Sequence, residues 1–133
     1  MENEVRVAID SAADIVMARQ KGRTLATELG FDGSDLTLIA TAISEVARNI
    51  VTHAKSGEII LAANNHGGKR GISIIAHDEG PGIADVARAM QYGYSTGKGL
   101  GVGLPGAKWL MDEFEIESKV GNGTKVTMKK WLK

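Results

Sequence analysis

No cysteine occurs in the 133 residues, so disulfides, thiolate metal sites and cysteine nucleophiles are excluded together. Net charge is missing too, because 16 Lys and Arg balance 16 Asp and Glu. No global field then draws the protein onto nucleic acid or an acidic membrane, and neither is expected as a partner. No apolar run approaches the ~20 residues of a membrane span. The N-terminal MENEVRVAID is acidic and alternating, unlike the basic and then apolar start of a secretory leader. The expectation is a cytoplasmic protein. His53 and His77 lack metal-spaced companions and read as structural. Repeats, low-complexity tracts and linkers are absent, and the length suits one domain over residues 1–133.

What is present is a globular composition, 43% hydrophobic and 24% charged. Val5, Val7 and Ile9 alternate with polar neighbours, which predicts a short strand. Asp10 or Ser11 then caps a helix through Ile15, Val16, Leu25 and Ala26 to Leu29, with Gly30 as its stop. Ser34 is read as the next cap, before a run in which Leu36, Ile39, Ala40, Ile43, Val46, Ala47 and Ile50 recur at helical spacing. Strands at 58–65 and 71–79 join through Gly67 and Gly68. A short helix at 84–92 and a helix through Lys108, Trp109 and Met111 flank a glycine-rich segment. EIESKV and TKVTMKKWLK read as a hairpin about Gly121, Asn122 and Gly123. Hairpins mixed with helices predict an α+β fold, with helices on one face of a mixed, mostly antiparallel sheet.

Glycine is the residue in surplus, 17 in all, and it crowds into HDEGPGIADVARAMQYGYSTGKGLGVGL, residues 77–104. Each glycine costs chain entropy, so a cluster marks backbone that bends sharply or lies very close to something. A glycine-rich loop entering a helix is an anion site, because free N–H groups and the helix dipole both favour negative charge. The P-loop pattern fails here. Gly93 to Lys98 has one spacer too few, and Gly99 stands where a metal-binding hydroxyl belongs. Gly101-Val-Gly103-Leu-Pro-Gly106 matches the dinucleotide fingerprint in letters only. No strand precedes it, Pro105 fills a variable slot, and no acidic residue follows about 20 residues on to hold a ribose.

A scheme of three separated pieces fits better. Glu45 and Asn49 are four residues apart on the apolar helix, hence on one face and one turn apart. Asp78-Glu-Gly80-Pro-Gly82 ends a strand, where a carboxylate can accept from an exocyclic amine while the glycines let a flat ring lie against backbone. Gly99-Leu-Gly101-Val-Gly103 precedes a helix, and its amides can wrap a phosphate chain.

In this order the pieces resemble the N, G1 and G2 boxes of the GHKL, or Bergerat-fold, ATP-binding domains shared by gyrase B, MutL and histidine kinases. Gly123-Thr124 is similar to their late Gly-Thr, and the likeness runs from about residue 35 to 127. Within that superfamily ISEVARNI, DEGPGI and GYSTGKGLGVGLPGAKWLMDEFEIES resemble the anti-sigma-type serine/threonine kinases, including the stressosome switch kinases. The resemblance implies a two-layer α/β sandwich that binds ATP and Mg2+. It implies Asn49 as metal ligand, Glu45 as catalytic base, and Asp78 with Thr124 at the adenine. Gly80 and Gly82 would border the base, and Lys98, Gly99, Gly101 and Gly103 the phosphates. Arg48 would steady a phosphate or substrate, or pair with a surface acid. Tyr92, Tyr94, Ser95 and Thr96 would belong to a short lid.

The sequence is filled by this nucleotide domain, without a phospho-accepting histidine segment or a transducer domain, which implies a kinase acting on another protein. By resemblance the acceptor is a serine or threonine of a STAS-domain scaffold or antagonist, and release then activates a PP2C-type phosphatase. Direct binding of a sigma factor, a non-catalytic ATP-gated binding module, a plain ATPase and a homodimer all stay open at this point.

Overall fold

A computed structural model describes residues 4–54, 56–83, 90 and 103–133. In chain order these form β1 (Val5–Ile9), α1 (Ala12–Leu29), α2 (Gly33–His53), β2 (Gly57–His66), β3 (Lys69–Asp78), α3 (Gly103–Leu110), β4 (Glu113–Ser118) and β5 (Thr124–Trp131). The strands make one five-stranded sheet in the order β1-β2-β3-β5-β4, antiparallel at every described pairing.

Alternation along each strand divides the sheet into two faces. Val7 and Ile9, Ile59 and Leu61, Ile72 and Ile74, and Val126 and Met128 are buried on the inner face. There they meet Ile15, Leu25, Ala26 and Leu29 of α1 and Ile39, Ile43, Val46, Ala47 and Ile50 of α2 in one core. α3 packs on α2 and touches β4, carrying Leu104 and Ala107 into the same core. The two-layer α+β arrangement matches the expectation.

Local chemistry sets the element ends. The Asp14 carboxylate reaches back to accept from the N–H groups of Ser11 (3.1 Å) and Asp10 (2.8 Å), closing the start of α1. α2 departs from the expected start. Its cap is Asp32, so Gly33 opens the helix and Ser34 lies inside the first turn. The two strands of the long hairpin run one or two residues further toward their shared turn than expected, meeting at His66 and Lys69. The final hairpin has the larger difference. Its loop spans five residues, 119–123, which makes Ser118 the partner of Thr124. Lys130, buried on the inner face, donates from Nζ to the Leu110 carbonyl (3.2 Å) and so closes the C-terminal end of α3. Among the described residues, no helix is long and apolar enough to cross a membrane.

Candidate active site

Three inner-face rows of the sheet change character at the same end. Ile74 and Ala76 lead to Asp78 on β3, Met128 and Val126 lead to Thr124 on β5, and Phe114 and Ile116 lead to Ser118 on β4. Asp78 pairs with Thr124, and Thr124 with Ser118, in the strand register. The core therefore ends in a carboxylate and two hydroxyls side by side. Asp78 and Thr124 are each 5% exposed, and buried polar groups of this kind are costly unless partnered. Asp78 Oδ1 accepts from the Gly80 N–H at 2.9 Å.

The loop after Asp78 is held against the β4–β5 turn at several points. The Ile83 N–H donates to Ser118 Oγ (2.7 Å), and the Gly121 N–H donates to the Pro81 carbonyl (2.8 Å). Gly82 has φ +77°, and a Cβ there would overlap the Lys119 carbonyl oxygen. Gly123 has φ +81° and would overlap the Asp78 carbonyl oxygen in the same way. At Gly80 a Cβ would sit 2.6 Å from the Ala54 Cβ, so the C-terminal end of α2 closes over this corner. What lies close to Gly80 and Gly82 in this structure is the protein's own backbone and the end of α2. The glycines make the corner by letting two loops and a helix end meet.

Glu45 and Asn49 lie on α2, as their spacing required. Glu45 is 8% exposed among Ile43, Val46 and Ala47, while Asn49 is half-buried one turn further along. Arg48 Nη1 pairs with Glu45 Oε1, a buried acid where a surface acid was one of the two expectations. The Arg48 side chain is 43% exposed and that of Glu45 9%, so the pair anchors a buried carboxyl group from the solvent side. His53 stands in the last turn of α2, and His77 lies on the outer face of β3 between Glu58 and Lys125.

The third piece is described only at its end. Gly103 opens α3 with φ +50°. Lys98, Gly99 and Gly101 lie outside the described residues, as do Tyr92, Tyr94, Ser95, Thr96 and, apart from Met90, the expected helix at 84–92. Ser118 is the side chain that sequence reasoning missed. Counting inward from a five-residue loop would have found it opposite Thr124.

A buried carboxylate on a helix, a buried Asp at a strand end and a glycine-led helix thus stand on an α+β sandwich. Residues 10–130 match the histidine kinase-like ATPase domain family, and the chain belongs to it. The chain is 50% identical, over all 133 residues and the full length of both chains, to the serine/threonine-protein kinase RsbT of Bacillus subtilis (strain 168). It is 36% identical over 121 residues to the anti-sigma F factor of Thermoanaerobacter sp. (strain X514), covering 86% of this chain and 83% of that one. Among solved structures, one of the RsbU and RsbW domains of a Mycobacterium tuberculosis protein superposes with TM-score 0.63 at 24% identity. That match covers 96% of this chain and 32% of the longer one, and it shows the fold, which is of the GHKL type. The full-length likeness to the kinase makes the activity that of a protein serine/threonine kinase.

Proposed function

We propose that this protein transfers the γ-phosphate of ATP to a serine or threonine of a STAS-domain partner and thereby switches partners. One observation carries the reading. A corner of buried Asp78 and Thr124 with half-buried Ser118, and a buried Glu45, lie at separate stations along α2. Ala54, which meets Gly80, is nine residues beyond Glu45. At 1.5 Å per residue that separation is about 13.5 Å, the scale of an extended nucleoside triphosphate.

In this reading Asp78 accepts from the exocyclic amine of adenine, and Thr124 supports it. The phosphates run along α2 toward Asn49 and Glu45, with Gly103 and the preceding Lys98, Gly99 and Gly101 at their flank. Asn49 fits magnesium as a hard amide oxygen, half-buried and one turn from a carboxylate, and the remaining positions would be filled by phosphate and water. The ion, when bound, neutralises charge on the phosphate oxygens. Glu45 orients the acceptor hydroxyl and takes its proton as the new O–P bond forms and the bond to the ADP oxygen breaks. Arg48 keeps the carboxylate in one direction.

Calorimetric titration with Mg-ATP tests the nucleotide half of the proposal. Asp78→Asn should weaken binding at least about tenfold, because an amide can turn a donor toward the amine where the carboxylate only accepts. Unchanged affinity contradicts the assignment. Gel filtration with a STAS-domain protein from the same genome tests the partner half. A complex is expected that dissociates once ATP is added, and co-elution unaffected by ATP contradicts switching. A PP2C-type phosphatase as the partner taken up after release belongs to the same proposal.

A further inference from the structure

We infer that Ser118 is a positioning residue for nucleotide selection, acting through the hydroxyl of Thr124. The inference rests on the nucleotide reading above. Ser118 Oγ has three neighbours: the Ile83 N–H at 2.7 Å, the Gly123 carbonyl at 3.1 Å and Thr124 Oγ1 at 2.7 Å. A serine hydroxyl has one hydrogen and two lone pairs. The Ile83 N–H can only donate and the Gly123 carbonyl can only accept, so the serine hydrogen goes to Gly123 and one lone pair to Ile83. All three contacts are satisfied together only if Thr124 donates its hydrogen to the second lone pair.

The consequence lies in what Thr124 has left. With its hydrogen committed, it has lone pairs alone to offer a base placed there by the nucleotide reading. The Asp78 carboxyl group, already accepting from Gly80 through Oδ1, offers a second acceptor beside it. Two adjacent acceptors welcome a 6-amino purine and oppose a 6-oxo purine, whose oxygen would face them unpaired. Ser118 thus holds the pocket in the amino-selecting sense, and it ties the Asp78 loop to the β4–β5 turn through the same atom.

The test is the ratio of Mg-ATP to Mg-ITP affinity, since inosine puts an oxo group where adenosine has the amine and carries an N1–H where adenosine has a bare N1. Wild type should prefer ATP. In Ser118→Ala the Thr124 hydroxyl is free to turn and donate, so the ratio should fall about tenfold. Ser118→Thr, which keeps the hydroxyl, should restore the ratio. Thr124→Val should lower the ratio as well, and adding Ser118→Ala to it should lower it no further, because the second change acts only through the first. If Ser118→Ala does not fold, Ser118→Cys, a weaker acceptor, should show a partial fall. A ratio unchanged in the serine variants, with ATP binding retained, overturns this inference alone. So does a further fall in the double variant. A wild type that binds neither nucleotide overturns the nucleotide reading and this inference with it.

Discussion

At the scale of single residues, the site is built where apolar rows end in polar side chains. Asp78, Thr124 and Ser118 each follow an inner-face hydrophobe two positions away, and one register makes them neighbours. Asp78 and Thr124 were legible in the sequence because each stands beside a diagnostic glycine. Ser118 was not, since its role depends on which residues the turn leaves opposite each other. The shared face of Glu45 and Asn49 was legible from spacing alone, but the pairing of Glu45 with Arg48 was not, since the acid expected for Arg48 was a surface one and Glu45 is buried. Glu45→Gln keeps the shape of the side chain and removes the proposed base. Phosphotransfer should fall about 100-fold or more, with ATP affinity within about threefold of wild type. Single-turnover phosphorylation and calorimetry separate the two quantities, and equal loss in both contradicts a role in the chemistry. Gly82 belongs to this scale as well. Its positive φ and its contact with the Lys119 carbonyl leave no room for a Cβ, so Gly82→Ala should cost about 2 kcal/mol and lower the melting temperature by about 5–10 °C. An unchanged melt contradicts the close approach.

At the scale of elements, α2 does most of the positioning. Its buried side holds Ile39, Ile43, Val46, Ala47 and Ile50, so the face carrying Glu45 and Asn49 cannot rotate without exposing the core. That periodicity was plain in the sequence. The start was misplaced because Asp32 and Ser34 are equally good caps by type, and the choice rests on tertiary placement after Phe31, which is buried. The partner helix α1 meets α2 at Gly22, where a Cβ would overlap the end of the Ile43 side chain. Gly22→Leu should force the helices apart and cost about 1–3 kcal/mol. Denaturant melts should show it, together with weaker ATP binding if Glu45 and Asn49 shift with α2. A variant as stable as wild type contradicts the tight crossing.

At the scale of the whole molecule, the feature that sequence could not supply is strand order. The final hairpin inserts β5 between β3 and β4, and only that order puts Thr124 beside Asp78. Local pattern predicts both strands of a hairpin but not which of them lies inside, because the choice is made by packing against β3. The family likeness put Thr124 at the same end as Asp78 without any strand order. The central claim concerns what this architecture does with ATP. The most direct measurement is intact-mass spectrometry of a STAS-domain protein from the same genome, incubated with this protein and Mg-ATP. The account predicts one phosphate on a serine or threonine of the STAS-domain protein, absent when Glu45→Gln replaces wild type. No phosphate on that protein, with ATP bound and the site intact, would contradict it and leave nucleotide as a gate on binding alone.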